Sequence, residues 1–423
     1  MKDGRLRERI SSDTRLHALR NLRQTSTLPY YRVMHTAVDP ITVVEGDEKI
    51  MLGANNYLGL ANHPAVLRGA HDAVNRFGGS ATGSPLLNGT SELRLELEHE
   101  IAQWHQTEDA IVFPSGYQTN LGTIAGLVGV GDSIVVDTEA HASIQDGARL
   151  SGASVRTFRH NDLVSLRQQL MRISDRPGAA LVVVDGLYSM RGDLAPVDEI
   201  SNLCSEFAIT LMIDEAHSVG VLGTHRTGAA ELYGVEDRID VRMGALSKGL
   251  GATGGFIAGT HELIDSLRLN ARAFVFSTAA VPAALGAALA AIRIIRSDEG
   301  ATLADQALRN ARLLRTRLLD WGIDVGGTTV LPSGDDVVAP NVPVVLGDEM
   351  RAIEVWRRIY DEGVFTALAV APAVDVGQAL LRMCVMATHT TQQIEDAARI
   401  IATAIIESRQ GSIPNTNQFK ESR

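Results

Sequence analysis

Lys248 stands among small residues in GALSKGLGATGG (244–255). A lysine amine becomes a nucleophile or Schiff-base partner when it is held in a tight, partly desolvated site. Earlier in the chain, Asp214 closes an apolar run and opens DEAHSVGVLG (214–223). The carboxyl end of such a strand is where α/β sheets bind ligands. A buried carboxylate there can keep a pyridinium nitrogen protonated, and a lysine imine paired with an aspartate is what pyridoxal phosphate (PLP) chemistry requires. Two competing readings of the glycines are weaker. Gly249 to Gly254 spell G-x-G-x-x-G, but a dinucleotide turn must open a helix, and FIAG (256–259) reads as a strand. A P-loop lysine is followed by Ser or Thr, whereas Lys248 is followed by Gly249. The glycines are therefore expected to leave room for a planar cofactor and a swinging lysine.

These residues need a scaffold, and the chain supplies one. Short β-rich runs recur at 109–113, 132–137, 154–158, 180–186, 209–215, 241–246 and 254–259. Several are almost wholly apolar, as strands buried on both faces must be. Helical segments at 91–104, 118–129 and 196–207 lie between them, which predicts an α/β domain with a mainly parallel seven-stranded sheet. The expected organisation is an N-terminal helix (about 1–25) and extended segment over 1–60, a large domain over 61–297, a smaller α+β domain over 298–408 and a polar, disordered tail over 409–423. The helix Ala304–Trp321 would open the small domain. The Ala-rich run Ala279–Ile292 is too short to span a bilayer and reads as a buried helix.

The bulk properties exclude several functions. The 423 residues carry a formal net charge of -11 and only 4% aromatics, which argues against nucleic acid or an anionic membrane as the main partner. Two cysteines, Cys204 and Cys384, make neither a disulfide framework nor a metal site and suit a reducing cytoplasm. No apolar leader segment opens the chain.

Several motifs in order complete the pattern: NNYLGLANHP (55–64), GSPLLNGTSELRLELE (83–98), FPSGYQTN (113–120), HASIQDG (141–147), DGLYSMRGDLAPV (185–197) and LLRMCVMATHT (380–390), besides those above. From about 30 to 405 the chain resembles the α-oxoamine synthase family of fold-type I PLP enzymes. The resemblance implies that Lys248 is the Schiff-base lysine, that Asp214 pairs with the pyridine nitrogen, that His217 contacts the ring hydroxyl and that His141 stacks on the ring. Ser115, Gly116 and Tyr117 would hold the phosphate at a helix start, and Ser189 and Ser247 would lie near the cofactor. Ser277 and Thr278 would reach the phosphate from the neighbouring subunit of a homodimer with shared active sites. Asn55 and Arg382 would hold an amino-acid carboxylate. The implied reaction is decarboxylative condensation of a small amino acid with an acyl thioester, carried by coenzyme A or an acyl carrier protein. It would release CO2 and free thiol and leave a 2-amino ketone. PYYRV (29–33), FRHND (158–162) and GVFTALAVAPAV (363–374) look most like serine palmitoyltransferase-type members; the alternative is an 8-amino-7-oxononanoate synthase-type enzyme. A non-catalytic partner subunit would be expected to lack the lysine. Two positions depart from the family: Ala245 stands where many relatives carry a phosphate-binding Thr, and Pro85 replaces a common Arg at the site's rim.

Overall fold

A computed structural model describes residues 4–24 and 27–409; the expected tail from 410 onward lies outside them. The N-terminal segment forms two helices, Arg5–Ser11 and Thr14–Gln24, where one was expected. The break has a local cause. The Asp13 carboxylate accepts from the Arg15 backbone N–H at 2.9 Å and binds the Arg15 guanidinium, offering the chain an alternative to helical bonding. Neither helix buries a residue against the rest of its own chain.

Next comes an antiparallel hairpin, β1 (Ile41–Val44) and β2 (Asp47–Leu52). The large sheet follows from β3 (Asp109–Phe113), β4 (Ser133–Asp137), β5 (Ser154–Phe158), β6 (Ala180–Asp185), β7 (Thr210–Asp214), β8 (Val241–Ala245) and β9 (Gly255–Gly259). Their order is β3-β9-β8-β7-β6-β4-β5. All run parallel except β9, which is antiparallel to both neighbours. The central strands are almost wholly apolar and buried, with helices on both faces. Parallel alignment brings the carboxyl ends to one edge, and the register pairs Asp185 directly with Asp214. That edge holds the chemistry.

The second lobe contains β10 (Thr328–Val330), β11 (Asp336–Val338), β12 (Asn341–Gly347), β13 (Val364–Ala369) and β14 (Ala379–Cys384). Its main sheet has the order β1-β2-β13-β14-β12, so the N-terminal hairpin is part of it through parallel pairing of β2 with β13. The helices Asp298–Asp320, Glu349–Asp361 and Thr391–Arg409 pack with this sheet around Leu314, Trp356, Leu381 and Ile401. The first of them begins six residues earlier than the expected Ala304, with Asp298 and Glu299 in its first turn, where acidic side chains suit the helix dipole. The apolar run near 280 forms the buried helix Pro282–Ile295, which packs on the helix Pro64–Phe77. Among the described residues no helix is long and apolar enough to cross a membrane.

His105 gives the large lobe an acid liability. It is buried between the rings of Trp104 and Phe256. Burial, reinforced by the Arg242 charge, pushes its pKa down to about 3. In the unfolded chain a histidine titrates at about 6.5. The native state is thus at full strength above that value and loses about 1.4 kcal/mol per pH unit below it, until the folded-state value is reached. Urea midpoints measured from pH 7 to pH 4 should fall, and His105→Phe should flatten the fall. An unchanged slope in that variant would show that other groups set acid stability.

Candidate active site

A cavity of about 230 Å³ opens at the carboxyl edge of the large sheet. Each wall comes from a strand end. Asp214 terminates β7 and is 3% exposed. Its Oδ2 accepts from Asn120 Nδ2 at 2.7 Å and its Oδ1 from the Ala216 backbone N–H at 2.9 Å. Asn120 also donates to Ser143 Oγ at 2.9 Å, and Ser143 Oγ lies 2.7 Å from His141 Nδ1. One polar chain therefore runs from Asp214 to His141. The His141 backbone N–H is in turn held by Asp185 Oδ2 at 3.0 Å. On the far wall, His217 Nδ1 lies 2.6 Å from the Tyr57 hydroxyl, which donates to Asn55 Oδ1 at 3.4 Å. Cys384 Sγ donates to the same Asn55 oxygen.

One end of the cavity is a helix start. Ser115 caps the helix Gly116–Leu127, its Oγ accepting from the Gln118 N–H at 3.2 Å. The first N–H groups of a helix have no partner within it and suit an anion. Ala245 lines this cavity, so the position of the missing Thr is a methyl group there, and Ser247 lies on the same wall. A lost hydrogen bond to a charged group is worth about 1.5–3 kcal/mol.

Electrostatics divide the site. Burial lowers the Lys248 amine below the ordinary lysine value, with the Arg382 charge assisting and Asp214 and Asp185 opposing. Burial, then the charges of Lys248, Arg382 and His141, hold His217 well below the usual histidine range, so its ring is neutral near pH 7. His141 is lowered by burial against the pull of Asp214. Burial and then repulsion from Asp214 push Asp185 well above the carboxylate range.

Nine of the residues expected from the sequence to hold cofactor line this one cavity: Ser115, Gly116, Tyr117, His141, Ser189, Asp214, His217, Ser247 and Lys248. Arg382 lies on β14, opposite Ala367 and Pro343, in a neighbouring cleft of about 360 Å³. Its charge still bears on Lys248, His141 and His217. Asn55 joins through Tyr57. Ser277 and Thr278 line neither space; Ser277 accepts from Gln118 Nε2 of its own chain at 3.3 Å, and Thr278 is exposed. The glycine reading needs correction. None of Gly249, Gly251 and Gly254 lines the cavity. A Cβ at Gly249 would meet Val219 O at 3.0 Å, one at Gly254 would meet Phe113 O at 2.9 Å, and one at Gly251 would collide with the Ala61 backbone. They let the loop pack on its own chain, and so hold Lys248 in place. The sequence reading passed over Asn120, Ser143, Asp185 and Tyr57. Asp185 carried a signal: like Asp214, it ends an apolar strand.

The residues fit PLP. A buried carboxylate, a desolvated amine, a neutral histidine and a helix start converge, and the buried Asn120 Oδ1 has no protein partner. The architecture and this donor set define a fold-type I PLP-dependent enzyme. Residues 47–401 match the family described as aminotransferase class I and II. Serine palmitoyltransferase of Sphingobacterium spiritivorum is 36% identical over 412 residues, spanning 96% of this chain and 100% of that protein. 8-Amino-7-oxononanoate synthase of Geobacter metallireducens is 42% identical over 360 residues, 85% of this chain and 89% of that one. A high-resolution structure of serine palmitoyltransferase with its PLP internal aldimine superposes with a TM-score of 0.88 at 32% identity, covering 94% of this chain and 98% of that one. The chain belongs to the aminotransferase class I and II family and, within it, to the α-oxoamine synthases, PLP-dependent C-acyltransferases.

Proposed function

We propose that the enzyme condenses a small amino acid, serine first among them, with a long-chain acyl thioester to give a 2-amino ketone, CO2 and free thiol. The observation that carries this reading is the end-to-end relationship to serine palmitoyltransferases, in sequence over 100% of one relative and in structure over 98% of another. The cleft beside Arg382 supports it, because Leu368, Val370, Pro372 and Met190 give it apolar walls suited to an acyl chain. A second reading, an 8-amino-7-oxononanoate synthase-like activity, is favoured by the 42% identity to such an enzyme.

Bound PLP supplies an electron sink for negative charge at the amino-acid Cα. Asp214 would hold its ring nitrogen, the N–H groups of Gly116 and Tyr117 with Ser115 and Ser247 its phosphate, His141 its face, His217 and Ser189 its hydroxyl, and Lys248 its aldehyde carbon. The other steps belong to the chain. The depressed pKa of Lys248 raises its neutral fraction, so the freed amine can take the Cα proton. Arg382, with Asn55, would grip the amino-acid carboxylate and so fix which Cα bond stands across the ring plane. Screening glycine, alanine and serine against thioesters of increasing chain length, on coenzyme A and on acyl carrier protein, while following thiol release, tests the reading. Serine with a long-chain thioester should give the highest kcat/KM. A preference for alanine with a dicarboxylic thioester would move the assignment to the second reading.

The same reading makes the enzyme a homodimer with shared sites, in the cytoplasm, where its two buried free thiols would stay reduced. Phe276, Leu86 and Leu87 are exposed on segments joined by the Ala279 N–H to Gly83 O bond, an apolar surface beside Ser277 and Thr278 that a partner subunit would cover. Mixing Lys248→Ala subunits with subunits altered at both Ser277 and Thr278 should restore activity, since one hybrid site collects both intact elements. No restoration in verified heterodimers would mean that each subunit supplies its own phosphate contacts.

A further inference from the structure

The FRHND segment lies outside the cavity, yet it is tied to it. His160 Nδ1 is 3.1 Å from Asp137 Oδ1, and its Nε2 is 3.0 Å from Asp193 Oδ2. Asp137 is a fixed anchor: it is fully buried at the end of β4 and also accepts from the Glu139 and Asn161 N–H groups. Asp193 is the partner on the cavity side, in the turn between Tyr188 and Leu194. That turn is closed by the Gly192 N–H to Tyr188 O bond at 2.8 Å and the Tyr188 N–H to Asp193 O bond at 3.0 Å. It carries Ser189, a cavity residue. The ring of His160 also meets Tyr188 edge-on at 4.4 Å. From the other lobe, Asn341 Nδ2 donates to the Tyr188 and Ser189 carbonyls at 3.1 and 3.2 Å, and Thr329 Oγ1 accepts from the Leu194 N–H.

We propose that His160 is a positioning residue which ties Asp193 to Asp137 and so holds the Tyr188–Leu194 turn, with Ser189, against the cavity. The proposal rests on the reading of Ser189 as a cofactor contact. Both ring nitrogens point at carboxylates, so the ring must carry two protons to bond both. Burial alone would depress its pKa, but the hydrogen bonds to Asp137 and Asp193, and then their charges, lift it to about 9. The other titratable groups nearby are Arg191, paired with Glu139, and Asp185 beside Tyr188, which burial pushes well above its ordinary value so that it stays neutral. The clamp is thus closed at neutral pH and opens as pH rises through about 9.

Amide hydrogen exchange of the full-length protein, with and without added PLP, tests the clamp directly. His160→Gln should speed exchange over residues 188–194 by about tenfold or more, the signature of a locally loosened segment. Asp193→Asn should do the same and guards against a fold defect particular to the first variant. In the wild type, exchange in the turn should show an added step above pH 9 that is missing from His160→Gln. With PLP bound, His160→Gln and Ser189→Ala should each lower kcat, and the double variant should lose no more than the worse single one. Unchanged exchange in both clamp variants, or kcat losses that multiply in the double variant, would overturn the proposal. If Ser189→Ala alone leaves kcat intact, the reading of Ser189 as a cofactor contact fails, while the exchange data still decide whether the clamp exists.

Discussion

Replacing Lys248 by alanine will remove turnover and the covalent hold on PLP together. On the proposed reading the amine both binds the cofactor's aldehyde carbon and moves the Cα proton. Loss of a positioned general base alone costs about 10²–10⁴ in rate, and loss of the covalent link adds to it. Lys248 sits at the end of a loop whose glycines press on Val219, Ala61 and Phe113, so the backbone will hold its shape without the side chain. The Lys248→Ala protein should therefore fold. The measurement is borohydride treatment followed by peptide mapping: the wild type should carry PLP on the peptide containing Lys248, and the variant should carry none. A variant that still shows reducible, covalently attached PLP would place the Schiff-base lysine elsewhere.

Asp214→Asn will cost nearly as much. The side chain keeps its size, so packing is spared, and its one oxygen can still accept from the Ala216 N–H, while its amide nitrogen would face the Asn120 Nδ2 donor. What disappears is a buried carboxylate, which on the proposed reading faces the ring nitrogen. Breaking a buried charged pair on one side costs about 3–5 kcal/mol, which is about two to four powers of ten in rate. The removed charge also supported the protonated forms of His141 and Lys248. Asp214→Glu should recover part of the loss. Single-turnover measurement of Cα–H exchange in deuterated solvent isolates the step. A loss under tenfold would mean that the ring nitrogen does not depend on Asp214.

Much of this was legible in the chain. Strands such as ALVVVD and TLMID are apolar on both faces, and only a parallel sheet with helices on each side buries them so. Lys248 stood out by its small neighbours and Asp214 by closing an apolar strand, whereas His141 came only through the family resemblance. Partners fixed by tertiary contact were not legible. Asn120 is the fifth residue of an ordinary helix, and nothing local says that its amide meets Asp214. Tyr57 reaches His217 across 160 positions. The pairing of the hairpin at 41–52 with β13 is a contact between distant segments that no local pattern encodes. The N-terminal break was legible after the fact, since Asp13 is a strong capping residue and the apolar spacing across it hid the signal. The glycines misled because small residues beside a functional lysine suit either a cofactor or a close backbone, and only the packing tells which.

The carboxyl carbon of the amino-acid substrate tests the central claim most directly. With serine labelled at that carbon and a long-chain acyl thioester, the label should leave as CO2 in step with free thiol, one for one, and none should remain in the amine product. Label retained in the amine product would contradict decarboxylative condensation and leave a transaminase or racemase in its place.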